Sequence, residues 1–104
     1  QRIMLKAVFY KENGRFTGFS ISGHAGYGTE GNDIVCAAVT SAVELTCNTI
    51  TEFFGAPAEV SVFENEVRLV MKEDALSSQQ LLASLYAHIE YIAQEHRKIK
   101  LEIK

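Results

Sequence analysis

The feature that most constrains this chain is the stretch from Ile34 to Phe54, which is almost entirely apolar and small: Val35, Ala37, Ala38, Val39, Ala42, Val43, Leu45. Asp33 reads as an N-cap before it. Gly55 suits the left-handed residue after a helix, and Pro57 prevents its resumption. A helix this apolar must be buried on more than one side, by a sheet on one face and something else on the other.

The rest of the chain supplies that sheet. Ile3, Leu5, Ala7 and Phe9 alternate as one face of a strand, and Asn13-Gly14 is the strongest short hairpin signal because both residues tolerate positive φ. The return strand covers residues 15–22, with Thr17, Phe19 and Ile21 expected on one side. Two further strands are expected at residues 58–63 and 67–72, and a helix at 77–96 with Ser77 and Gln80 at capping-box spacing. Ile99, Leu101 and Ile103 alternate as a last strand. The order ββαββαβ predicts an α+β fold, a two-layer α/β sandwich with two helices packed on a largely antiparallel sheet. At 104 residues it fits a single domain spanning 1–104. Residues 1–3 are expected to be trimmed or added sequence, with Met4 a possible native start.

Composition narrows the function. Apolar residues are 47% and charged residues 22%, an ordinary globular balance. The net charge of -3 gives no electrostatic footprint for nucleic acid, and Arg97, Lys98 and Lys100 are too short a basic cluster to supply one. No apolar run is expected to reach the length that spans a bilayer, and the N-terminus lacks signal-peptide regions. The expected location is therefore cytoplasmic, with no membrane partner. Two cysteines and three scattered histidines give no zinc spacing, so neither a metal nor a cofactor is expected.

Chemistry concentrates between Gly23 and Ser41. Gly23, Gly26, Gly28 and Gly31 mark a loop of high backbone freedom, and Tyr27 within it could contact substrate or anchor the loop. With Asp33 as N-cap, Cys36 falls in the first helical turn, where unpaired N–H groups and the helix dipole favour a thiolate. The same N–H groups could receive an oxyanion. His24, at the strand exit, can turn back toward the sulfur as general base, and Asp33 is one candidate to orient it. The bland alternative is that Cys36 is an inert core thiol, as Cys47 is expected to be. Cys47 sits about 16 Å further along the same helix, so the two cannot pair.

The string Gly23-His24-Ala25, a glycine-rich loop, then Asp33-Ile34-Val35-Cys36-Ala37-Ala38-Val39 resembles the bacterial ribosomal-processing cysteine protease family, also described as YsxB-like. The resemblance implies a His24 base and a Cys36 nucleophile, flanked by the family's Gly23 and Asp33. It implies that a short N-terminal extension of a large-subunit ribosomal protein is cut after an aromatic residue. It further implies a homodimer whose loop orders when substrate arrives. The family commonly carries Ser four residues after the Cys, where this chain has Thr40 followed by Ser41. Thr40 lies one turn on from Cys36 and keeps a hydroxyl on that side. Two other readings compete: a non-enzymatic ribosome-associated binding module with a structural Cys36, and a redox sensor, which the distant Cys47 disfavours.

Overall fold

In the computed structural model, which describes residues 5–23 and 30–104 and only the backbone of 30–33, the chain opens with a hairpin. Strands β1 (Leu5–Glu12) and β2 (Arg15–Gly23) are joined by Asn13 at φ 54° and Gly14 at φ 77°. Both residues are left-handed, the mirror-image turn whose twist matches the strands. The register runs Phe9 opposite Phe19 and Tyr10 opposite Gly18, then slips so that Lys11 faces Phe16. Thr17 is the extra residue of a β-bulge. The slip turns Phe16 into the core in place of the expected Thr17, and Phe16 packs edge-on against Phe9. Phe16 stays opposite Lys11, but its N–H and C=O face the side of β4 (Glu66–Met71), whose pairing with β2 stops at Gly18 opposite Val70. The Gln79 side-chain amide supplies the missing partners, accepting the Phe16 N–H and donating to the Phe16 carbonyl, both at 2.7 Å.

Strands β3 (Ala58–Phe63) and β4 (Glu66–Met71) form a second hairpin, and β5 (Ile99–Ile103) closes the sheet in the order β3-β4-β2-β1-β5. The pairings β1–β2, β2–β4 and β3–β4 are antiparallel, whereas β5 lies parallel to β1 after crossing over through helix α2 (Leu76–Glu95). The sheet is thus mixed but largely antiparallel. Ala75, with no side-chain cap, precedes α2, so the expected cap at Ser77 lies inside the helix.

Helix α1 (Glu30–Asn48) continues into a π-helical turn, Thr49–Phe53. Thr46, Thr49 and Thr51 donate to carbonyls four residues back, bonds of the kind that bend helices. The helix stops where expected: Gly55 sits at φ 63° and the Ala56 N–H reaches the Ile50 carbonyl at 3.0 Å. Its start differs. The expected cap at Asp33 is overturned because the helix already begins at Glu30, with Gly31 and Asn32 in its first turn rather than in the loop.

Both helices contribute to one buried cluster on the same face of the sheet: Val35, Cys36, Val39, Val43, Cys47 and Ile50 from the first helix, Leu82, Leu85 and Ile89 from the second. Phe9, Phe19 and Leu69 receive them from below and are essentially fully buried. Each such side chain stabilises the fold by about 1.5–3 kcal/mol relative to exposure. The opposite sheet face carries ion pairs, with Glu102 drawing Lys6 and Lys100 and Glu66 pairing with Arg68. One expectation about membranes needs correction. Ile34–Phe53 is 20 residues long with mean hydropathy 1.4, enough to cross a bilayer by length and composition. Its buried stripe is packed on the sheet instead, as in the core helix of a globular domain.

Candidate active site

At about 100° per residue, Cys36, Val39, Val43, Cys47 and Ile50 fall on one side of the first helix, and all are buried. Cys36 is 0% exposed. It belongs to the same cluster as Ile21, two residues before the end of β2. That strand ends at Gly23, whose N–H donates to the Asn65 carbonyl at 3.0 Å and whose φ is 106°. An L side chain is strained at that φ, so the residue carrying the chain out of the sheet needs to be glycine. Strand exit and thiol are therefore held by one rigid core.

His24, Gly26, Tyr27 and Gly28 lie outside the described residues. Asp33 and Gly31 lie within α1, so Asp33 does not cap the helix. The earlier start also moves Cys36 out of the first turn: it is the seventh helical residue, about 9 Å along the axis from Glu30. Helix-terminus effects fade within the first turn. Neither a dipole-lowered thiol nor an oxyanion site on the terminal N–H groups follows from this geometry.

Thr40 and Ser41 are both exposed, but only Thr40 is near Cys36 around the helix, about 40° away against about 140°. The hydroxyl one turn beyond the thiol is thus that of Thr40, and Ser41 points to the opposite side. Cys47 is a contrasting thiol. Burial and then the nearby Glu44 carboxylate push it up to about 11, so it stays protonated and unreactive at neutral pH. A shallow groove of about 230 Å³, lined by residues including Arg15, Phe16, Met71 and Asp74, opens at the other end of β2 and contains none of these groups. Among the described residues no cluster of His, Cys, Asp and Glu could hold a metal ion.

Sequence reasoning missed two features. The Gln79 clamp was invisible because its need arises where the pairing of β4 with β2 stops short of Phe16. The exposure of Val60 and Val62 on β3 was missed as well, since a strand pattern does not say which apolar face is left uncovered.

Comparison with known proteins adds to this geometry. No curated relative matches the chain. The fold is shared with solved structures over 97% of the chain. A crystal structure of an essential ribosomal processing protease, Prp, from S. aureus in complex with a substrate peptide has TM-score 0.88 and 20% identity, covered over 100% of its length. The same protease with a covalently linked product peptide gives 0.87 and 21%, with coverage of 97% and 100%. SMU.848 from Streptococcus mutans gives 0.85 and 21%, covered over 99%. The family model for cysteine protease Prp matches residues 4–100, the strand exit, the thiol and both helices included. This chain belongs to the cysteine protease Prp family.

Proposed function

We propose that this protease removes a short N-terminal extension from a large-subunit ribosomal protein, with Cys36 as nucleophile and His24 as general base. The observation that carries the reading is the family match across residues 4–100, which contains Gly23-His24-Ala25 and Asp33 to Val39 unbroken. The complex of the S. aureus relative, called a ribosomal processing protease, with a substrate peptide supports the substrate class. In the proposed reaction the His24 imidazole takes the thiol proton and Sγ adds to the scissile carbonyl. The imidazolium then protonates the departing amine, and water, deprotonated by the same imidazole, hydrolyses the thioester. Attack requires the carbonyl carbon within about 3–3.5 Å of Sγ. Because Cys36 is fully buried, the reading requires that substrate binding expose the sulfur. That burial is the one observation favouring a non-enzymatic binding module, and the family membership outweighs it. Incubation with peptides spanning candidate extensions, followed by mass spectrometry, tests the assignment: discrete products are expected from wild type and none from Cys36→Ala.

The reaction is placed in the cytoplasm, where ribosomal proteins are made, and the working unit is a homodimer. The dimer is supported by the outward side of the first helix, where Ile34 (71% exposed) and Leu45 (68%) flank Ala37, Ala38 and Ser41. This ridge lies opposite the buried stripe, and its small residues would let two helices approach closely. Sedimentation of wild type is expected to give a dimer and Ala38→Glu a monomer. A monomeric wild type at all concentrations would remove the dimer.

A further inference from the structure

The two edges of the sheet are unlike. On β5, Lys100 lies within the strand and Lys98 and Lys104 flank it, the charged side chains that discourage edge pairing. β3 has no lysine and no proline within it. Its backbone is also set to accept a partner. The Lys72 N–H donates to the Pro57 carbonyl at 2.9 Å, which makes Pro57–Lys72 a hydrogen-bonded pair of the antiparallel ladder. Alternation then gives Glu59, Ser61 and Phe63 the bonds to β4, and directs the N–H and C=O groups of Ala58, Val60 and Val62 to an edge that is free among the described residues. The side chains of those three residues lie on the helix side of the sheet, beside Leu69 and Val67. Val62 is 74% exposed there, with Phe53 and Phe54 also uncovered after the first helix. The strand ends beside the candidate site, since Asn65, in the turn after it, holds the Gly23 N–H.

Charge decides what pairs with this edge. The charged residues on the strand and its turn, Glu59 and Glu64, are both acidic. Lys72 answers only Glu59, at 3.3 Å. Two copies paired through this strand would gather four carboxylates on one seam, which disfavours a second copy. An extended segment carrying both apolar and cationic residues fits instead. We propose that the free edge of β3 binds an extended apolar and basic segment of the protein substrate as a sixth strand. The proposal rests on the protease reading above. The segment's outward-bonding amides pair with Val60 and Val62, its apolar side chains cover their row, and its cations, on the other face, meet Glu59 and the turn's Glu64.

The test uses Cys36→Ser and fluorescence anisotropy with a labelled peptide of about ten alternating leucine and lysine residues, enough for one strand. Val62→Lys is expected to weaken binding at least about tenfold, a change of about 1.4 kcal/mol. Methylating alternate amides of the peptide should weaken it similarly. Lys104→Glu on the opposite edge should change it by less than about twofold, because no pairing there is involved. Equal binding to Val62→Lys, equal binding of a leucine–glutamate peptide, or conversion of a dimer to a monomer by Val62→Lys would each overturn the proposal. Mass spectrometry of extension peptides with wild type keeps the two readings apart. Cleavage without any effect of Val62→Lys on binding sinks the edge alone, and edge binding without cleavage sinks the substrate assignment.

Discussion

Replacing Cys36 with Ala is expected to lower peptide cleavage by roughly 10⁴-fold or more while the protein stays folded, the scale on which loss of a nucleophile acts. The expectation is sharpest as a comparison with Cys47→Ala. Both cysteines lie on the buried stripe of one helix, Cys36 at 0% and Cys47 at 6% exposure. Truncating either removes one sulfur from the core, so each variant should lose about 1–2 kcal/mol of stability. If Cys36 were merely a packing residue, activity would fall alike in the two. If it is the nucleophile, activity separates them although stability does not. Thermal melts and product assays on both variants check this, and equal residual activity in the pair contradicts it.

Gly18→Ala is expected to be the most damaging substitution in the sheet, costing on the order of 3 kcal/mol or more. A Cβ at Gly18 would sit 2.1 Å from the Leu69 carbonyl oxygen. That oxygen belongs to the ladder of the central strand pair, so no flexible side chain can give way. The strand beside it cannot slip either, because Gly18 adjoins the bulge that turns Phe16 inward and that Gln79 clamps. Gly55→Ala provides the contrast. A Cβ there meets nothing within 4 Å, leaving only the left-handed φ of 63° to pay for, about 1–2 kcal/mol. Urea unfolding of both variants should show the larger shift for Gly18→Ala. A smaller loss than for Gly55→Ala would contradict the packing described.

Much of this architecture was legible in the chain because its signals are local. Asn13-Gly14 dictated a turn with two positive φ values, and Gly55 with Pro57 dictated a helix stop. Alternation at Leu5, Ala7 and Phe9, and again at Ile99 and Leu101, identified strands that pair with one another, though not that they run parallel. What was illegible depends on non-local geometry. Thr17 looked like a core position because alternation assumes an unbroken register, and the bulge shows only once Phe16 must reach Phe9 and Tyr86. Asp33 looked like a cap because its side chain suits one, whereas the helix begins three residues earlier. For the site that difference has weight. It withdraws the helix terminus as a reason to expect a thiolate at Cys36. The apolar helix is covered on one side only: the sheet takes one stripe, and Ile34, Ala38 and Leu45 lie exposed on the other.

Ionisation of a sulfur that rests in the core, drawn out by the imidazole one residue beyond β2, is the premise on which all of the chemistry stands. The most direct measurement is the rate of iodoacetamide alkylation at each cysteine against pH, in wild type and His24→Ala, with sites resolved by mass spectrometry. Cys36 should react below pH 8, beneath the usual thiol value of about 8.5, and slow at least about tenfold without the imidazole. Cys47, held near 11, should stay unmodified over the same range. A Cys36 as inert as Cys47 at neutral pH, with or without His24, would contradict the account.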